Sequence, residues 1–221
     1  MNTRISYAHF SLLLSVASLL LSGAGKSTFL SLLAGKVEPT AGQLEVNGEK
    51  PSLTKFKKLV GFVPQEDIML RELTVEENIR HSAFMRLPAE WTRKQKLQRV
   101  AAVMESLELT PIKDSIIGDE IQRGISGGQR KRVNVAMELV ADPSLLALDE
   151  PTSGLDSTTS YSLTETLHSL AKTGVNVAAV LHQPKNEIFE VSFSKRTQTS
   201  KIEPHFANDR DYWICSCFQH S

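Results

Sequence analysis

A turn of small residues ending in Lys-Ser has the composition of a phosphate-binding loop. It runs Ser22-Gly23-Ala24-Gly25-Lys26-Ser27-Thr28. Such a turn leaves backbone N–H groups free to face an anion, and the helix that follows adds its unpaired N–H groups. Lys26 can reach a β- or γ-phosphate, and the Ser27 hydroxyl can ligate Mg²⁺. Because Leu20 replaces the first glycine of the pattern G-x-x-x-x-G-K-[ST], the loop alone leaves a nucleotide site and a chance match both open.

Two carboxylates follow an apolar run in the second half of the chain. Leu145–Leu148 has the composition of a buried strand, and Asp149 and Glu150 stand at its tip. Asp149 is the partner that a phosphate-binding loop needs to hold Mg²⁺. Glu150 points to the other side, where it can polarise an attacking water. The pair therefore favours phosphoryl-transfer chemistry.

Two further polar residues follow predicted strands. Gln65 comes after Leu59–Val63, and His182 comes after Val175–Leu181. Open α/β sheets place ligand-binding groups at the carboxyl ends of their strands. We therefore expect Gln65 to lie in the site and His182 to contact a γ-phosphate.

A second anion-binding turn precedes a predicted helix at Gln129–Val140. It consists of Ser126, Gly127, Gly128 and Gln129, which present a hydroxyl and backbone N–H groups together. The basic triplet that follows is short and has no interleaved aromatic residues, so we expect no nucleic-acid partner. A tight loop at Ser153-Gly154-Leu155-Asp156 leads into another helix, which Ser157 or Asp156 is predicted to cap, and which ends at Lys172 and is closed by Gly174.

Apolar periodicity predicts the remaining elements. These are a helix at Ser27–Ala34 stopped by Gly35, a hairpin at Gln43–Gly48, a helix at Val75–Met85 opened by a Thr74–Glu77 capping box, and an amphipathic helix at Glu90–Leu109. The apolar face of the last helix is predicted to carry Leu97, Val100, Ala101, Met104 and Leu107. Its basic side, Arg93, Lys94, Lys96 and Arg99, is predicted to be solvated, with docking to a partner or to lipid headgroups as the alternative.

Charge and cysteine content exclude some classes of function. The formal net charge is zero, so no global field favours nucleic acid or an anionic membrane. Cys215 and Cys217 have no further partners for a metal framework, and their scarcity suits a reducing compartment. The apolar segment Leu12–Leu21 is too short to cross a membrane. It is interpreted as the strand before the phosphate loop or, alternatively, as a signal peptide.

The order of these motifs resembles the nucleotide-binding domain of ABC transporters. Ser22–Thr28 matches Walker A, Gln65 the Q-loop, Ile125–Gln129 the signature, Leu145–Glu150 Walker B, Ser153–Asp156 the D-loop and His182 the H-loop. Three segments are similar in sequence to the G (White/PDR-type) subfamily: Gly61–Asp67, Leu73–Asn78 and Ile125–Arg132.

The resemblance implies an α/β fold of the P-loop NTPase, ABC-type ATPase class: a mainly parallel sheet, a small β-hairpin region and an inserted helical subdomain. It also implies ATP and Mg²⁺ as cofactors, with Ser27, Gln65 and Asp149 serving the metal. Glu150, His182 and Gln65 would be catalytic, and the signature would complete the site of a second nucleotide-binding domain. A transmembrane domain outside this chain would be the other partner, at the cytosolic face of a membrane.

The resemblance implies an ATP-binding domain at 22–190, with the helical subdomain at about 72–140. An atypical apolar segment at 1–21 precedes this domain, and a divergent tail at 191–221 follows it. The tail is predicted to be disordered from Ser192 onward. Both ends depart from the family pattern, as an alternative transcript or an incomplete gene model would give. The alternative functions are a non-catalytic truncated isoform or fragment that binds a full-length transporter and modulates it, or a soluble ABC ATPase of translation or DNA repair. The alternative localisation is that of a soluble cytoplasmic fragment.

Overall fold

The structure is a computed structural model that describes residues 14–17, 26–38, 59–119 and 122–181. Its elements, in chain order, are β1 Leu14–Ala17, α1 Lys26–Leu33, β2 Val60–Val63, α2 Val75–Arg86, α3 Arg93–Ser106, a 3₁₀ turn Thr110–Ile112, α4 Gly127–Leu139, β3 Leu145–Asp149, α5 Ser157–Lys172 and β4 Asn176–Leu181.

The four described strands form one parallel sheet in the order β1-β4-β3-β2. The predicted parallel sheet is therefore confirmed. Within Leu12–Leu21, residues 14–17 pair with β4, which confirms the strand interpretation for those four residues. Strand β3 lies between two neighbours and is buried nearly throughout, which explains its continuous apolar sequence.

Helices cover both faces of this sheet. Because side chains alternate along a strand, Leu146 and Leu148 pack with α4 and α5, whereas Ala147 packs with Leu30 and Ala34 at α1. This second cluster holds α1 against β3 and β4. The helix that follows the phosphate loop therefore begins at the edge of the sheet where the strands end.

Helices α2, α3 and α4 join the larger of these two clusters. Helix α2 begins at the predicted Thr74–Glu77 capping box, and α3 begins three residues later than predicted, at a capping box of Thr92 and Gln95. These reciprocal bonds satisfy backbone N–H groups that the first turn leaves open. The helical segment is thus continuous with the core of the sheet.

The prediction of a solvated basic side on α3 is wrong for Lys96. Its side chain is buried, and Nζ donates a hydrogen bond of 3.2 Å to the Leu87 carbonyl at the end of α2. The ammonium also lies 5.7 Å from the Phe84 ring centroid. Ala101, predicted on the apolar face, is exposed, and Val103 is buried instead. The buried face therefore keeps Val100, Met104 and Leu107 as predicted, and Lys96 and Val103 join it.

Arg99 likewise faces protein rather than solvent alone. Its guanidinium donates 2.9 Å to the Leu139 carbonyl and 2.8 Å to Asp142, at the end of α4. A cation at this position complements the negative end of the helix dipole. Two of the four predicted surface cations thus stabilise helix ends.

Several predictions lie outside the described residues. They are the hairpin Gln43–Gly48, the loop Ser22–Gly25, His182 and the tail from Ser192. Among the helices of the described ranges, none combines the length and the apolar character that a membrane span requires.

Candidate functional site

The tip of β3 and the start of α1 meet at a hydroxyl–carboxylate contact. The Ser27 hydroxyl donates a hydrogen bond of 3.2 Å to Asp149 Oδ1. Asp149 is buried, with 9% of its surface exposed, whereas Ser27 and Thr28 are exposed. Lys26 is the first residue of α1. The structure thus brings together two residues that are 122 positions apart in the chain, as the sequence predicts.

Glu150 and Gln65 form the second polar contact at this edge of the sheet. Gln65 Nε2 donates 3.2 Å to Glu150 Oε2, which places the end of β2 beside the end of β3. Glu150 has a φ of +46°, a left-handed conformation that is uncommon for a non-glycine residue. Its backbone N–H donates to the Val180 carbonyl at 3.0 Å, and its own carbonyl accepts from Ser153 at 3.0 Å. The surrounding backbone therefore fixes the direction in which this carboxylate leaves the sheet.

The donor set at this edge fits a magnesium ion. A serine hydroxyl, a buried carboxylate and a glutamine amide supply oxygen atoms, which Mg²⁺ prefers. In the part of the chain that the structure describes, no group of three or more His, Cys, Asp or Glu residues could hold a metal. A site of few protein ligands is typical of Mg²⁺, which keeps waters and substrate phosphates as its remaining ligands.

The predicted second anion-binding turn opens α4. Ser126 is its N-cap and accepts a bond from the Gln129 N–H at 3.3 Å, while Gln129 Oε1 accepts from the Ser126 N–H at 2.8 Å. Ser126 and Gly127 are exposed, and Gly128 is buried. Helix α4 begins two residues earlier than predicted, so both glycines belong to its first turn. Their N–H groups are the unpaired donors of a helix start.

The predicted D-loop packs beneath this turn. Asp156 caps α5 by accepting from the backbone N–H groups of Thr158 and Thr159, both at 3.1 Å. Hydrogen bonds from the Thr159 hydroxyl and backbone hold the pKa of Asp156 below its usual value. A Cβ atom at Gly128 would lie 2.1 Å from Thr159 Cγ2, and one at Gly127 would lie 3.5 Å from Leu155 Cδ2. The signature turn and the D-loop are therefore a single packed unit.

The two predicted anion-binding regions have different contacts in the structure. Across the described ranges, no hydrogen bond or ion pair joins Ser126–Gln129 to Ser27, Asp149 or Glu150. The start of α4 is thus held by contacts other than those at the ends of β2 and β3.

Sequence reasoning missed the contacts of the basic triplet. Lys131 bonds to the loop that holds Gln65, and Arg132 bonds to Glu108, to Ser162 and to the Leu107 carbonyl. Two of the three cations are therefore engaged inside the molecule. The buried residues three and four positions further on, Asn134 and Val135 for Lys131 and Val135 and Ala136 for Arg132, are the signal that could have indicated this.

A parallel sheet, a helix beginning at the Lys-Ser step beside an Asp-Glu strand tip, and a separate Ser-Gly-Gly helix start together define an ABC-type ATPase domain of the P-loop class. Residues 21–153 match the family model described as ABC transporter, and the chain belongs to this family. The family binds nucleotide.

The curated relatives are G-family transporters. The chain is 51% identical over 172 residues to ABC transporter G family member 28 of Arabidopsis thaliana, covering 77% of this chain and 16% of that protein. It is 44% identical over 189 residues to G family member 21 of the same plant (85% and 28%). It is 41% identical over 172 residues to the broad substrate specificity ATP-binding cassette transporter ABCG2 of Sus scrofa (77% and 26%). The chain thus spans between 16% and 28% of the length of these relatives.

Solved structures agree on the fold. The ATP-binding cassette MJ0796, described as a dimer in a post-hydrolysis state bound to ADP and Pi, matches with a TM-score of 0.61 at 27% identity, over 78% of this chain and 74% of that one. The protein cbiO1 of Clostridium perfringens, part of the cbiONQ transporter complex, matches with a TM-score of 0.66 at 24% identity, over 77% and 67%.

Proposed function

We propose that this chain binds MgATP and hydrolyses it as the nucleotide-binding domain of a G-subfamily ABC transporter. The observation that carries the proposal is the pairing of Ser27 with Asp149 beside the pairing of Gln65 with Glu150, at one edge of the sheet. These four side chains come from three separate strand or helix ends. The family match supplies the expectation that nucleotide occupies this edge.

In this proposal, the loop before α1 would bind the phosphate groups of ATP. Ser22 to Thr28 would surround the phosphates, and Lys26 would place a positive charge near the β- or γ-phosphate. Ser27, Gln65 and Asp149 would hold Mg²⁺, which when bound neutralises charge on the phosphate oxygens. His182 would contact the γ-phosphate.

Glu150 is proposed to orient and polarise the water that attacks the γ-phosphate. The hydrogen bond from Gln65 Nε2 supports this role, because it fixes the rotation of the carboxylate. The left-handed backbone of Glu150 also supports it, since strained residues are enriched at active sites. Phosphoryl transfer depends on such positioning more than on covalent chemistry.

A second nucleotide-binding domain is proposed to complete the site. Ser126 to Gln129 would close on the nucleotide of the partner, with Ser153 to Asp156 at the same interface. The exposure of Ser126 and Gly127 supports this arrangement, as does the dimeric state reported for MJ0796. The partner is either identical or a different domain.

The domain is proposed to energise transport through a transmembrane domain, at the cytosolic face of a membrane. The names of the relatives support this role. We further propose that the ATP-binding domain comprises 22–190 together with β1, which pairs with β4 in its sheet, with 72–140 as the helical subdomain and 191–221 outside the domain.

Measurement of MgATP binding and ATPase activity tests the proposal. Lys26→Ala should abolish binding detected by calorimetry, because it removes the phosphate-facing charge. Glu150→Gln should retain binding but lower kcat by about 10²- to 10⁴-fold. Glu105→Gln, the same change on an exposed α3 residue, is the matched control. A basal ATPase rate that Glu150→Gln leaves unchanged would refute hydrolysis at this site and favour the non-catalytic module.

A further inference from the structure

A buried lysine on α4 bonds to the backbone of Gln65 itself. Lys131 is 9% exposed, and its Nζ donates to the Gln65 carbonyl at 2.5 Å. The same ammonium lies 3.1 Å from Asp67 Oδ1. Lys131 follows Gly127 by four residues, which is one turn of helix from the signature. The helix that starts at the signature is therefore joined directly to the loop that carries Gln65.

Asn134 adds a second bond to the same loop. This residue is 1% exposed, and its Nδ2 donates 2.7 Å to Asp67 Oδ1. Its Oδ1 faces the Ile68 N–H at 3.5 Å. Residues three apart in a helix lie on one face, so Lys131 and Asn134 reach the loop together. We call Lys131, Asp67 and Asn134 the Gln65 anchor.

The chemistry of the Gln65 anchor makes it sensitive to loss of one member. Burying an ammonium group costs free energy of folding unless the group is paired and hydrogen-bonded. Here the Asp67 carboxylate and the Gln65 carbonyl accept its hydrogen bonds. Removal of the lysine leaves Asp67 and the Gln65 carbonyl without their charged donor. Charge-assisted bonds of this kind are stronger than neutral ones. The anchor therefore holds the loop more firmly than packing alone would.

We propose that Lys131 and Asn134 are positioning residues that fix Gln65 through its carbonyl and through Asp67, so that Gln65 and the signature helix move as one unit. The inference rests on the function proposed above for Gln65. At the other end of the same residue, the Gln65 amide lies 3.2 Å from Glu150. A shift of α4 is thus transmitted within one residue to the carboxylate that orients water. Displacements of about 1 Å near a reacting group can cost up to about a hundredfold in rate.

Hydrogen–deuterium exchange tests the anchor without reference to nucleotide. Lys131→Met keeps an unbranched side chain only one atom shorter and removes the ammonium donors, so exchange of the amides of 65–70 should rise by about tenfold. Lys94→Met, the same change at an exposed position of α3, should leave this segment at the wild-type rate. Asp67→Asn, on the more exposed side of the anchor, should raise exchange in the same segment and serves if Lys131→Met does not fold. Wild-type exchange of 65–70 in both Lys131→Met and Asp67→Asn would overturn the proposal.

A kinetic cycle tests whether the anchor acts through Gln65. Lys131→Met should lower kcat for MgATP by about tenfold with KM changed by less than about twofold, and Lys131→Arg should restore part of the loss. In a Gln65→Ala background, Lys131→Met should change kcat by less than about twofold. Additive losses would overturn the coupling between the anchor and Gln65. Absence of ATPase activity in the folded wild-type chain would instead refute the proposed function, and the exchange experiment would still decide whether the anchor holds the loop.

Discussion

The contact between Gly128 and Thr159 leads to a quantitative prediction for the signature turn. A Cβ atom at Gly128 would stand 2.1 Å from Thr159 Cγ2, whereas ordinary contacts begin near 3.4 Å. Gly128→Ala must therefore displace the threonine methyl by more than one ångström. Rotation of the Thr159 side chain is opposed, because its hydroxyl donates a hydrogen bond of 2.6 Å to Asp156 Oδ1 in the cap of α5. The substitution thus strains both helix starts.

The expected decrease in the free energy of unfolding of Gly128→Ala follows from the cost of overpacking a protein interior. Forcing a methyl group into a packed interior typically destabilises a protein by about 1–3 kcal/mol. In a chain of this size that corresponds to a decrease in Tm of roughly 2–12 °C. Urea unfolding followed by circular dichroism would measure the free energy, with the slope against urea expected to stay unchanged.

Two further variants isolate the cause. Thr159→Ser removes the clashing methyl and keeps the hydroxyl bond to Asp156, so Gly128→Ala with Thr159→Ser should regain most of the lost stability. Gly127→Ala is the matched control: its Cβ would meet Leu155 at 3.5 Å, an ordinary contact, and alanine is favoured over glycine in a helix. Wild-type stability in Gly128→Ala, or no recovery in the double variant, would refute the packing argument.

Two other predictions concern helix ends. Because hydrogen bonds from Thr159 lower the pKa of Asp156 below 3.8, its contribution to stability is present above that pH and is lost as the pH falls through the folded-state pKa. Asp156→Asn keeps a side chain that can cap α5 but does not titrate, so the variant should lose less stability than the wild type as the pH falls. If unfolding shows the same dependence of stability on pH in both proteins, the role of Asp156 in this dependence is wrong. Lys96→Met should destabilise the protein by about 1–2 kcal/mol, because the Leu87 carbonyl loses its hydrogen-bond donor. Lys94→Met, at an exposed position, should change the stability by less than about 0.5 kcal/mol. Equal effects of the two substitutions in thermal unfolding would contradict the burial of Lys96.

The chain's local patterns predicted the described helices and strands and several of their ends. The Thr74–Glu77 capping box, the Asp156 cap and the apolar run before Asp149 each depend on neighbours within a few residues, so their physical signal is visible in the sequence. The placement of Gln65 at a strand end followed from the same short-range logic, together with the rule that parallel strands present ligands at one edge.

The tertiary structure alone decided the order of the strands and the long-range contacts. Lys96 and Lys131 look like solvated cations in the sequence, yet each is buried, with its ammonium donating a hydrogen bond to a backbone carbonyl of another segment. Lys131 and Gln65 are 66 positions apart, and no local pattern encodes which side chains will meet across that separation. The fit of Thr159 against Gly128 is of the same kind. The sequence by itself thus predicted which groups form the proposed site, and the packing of α4 and α5 decided which side chains contact Gln65 and Gly128.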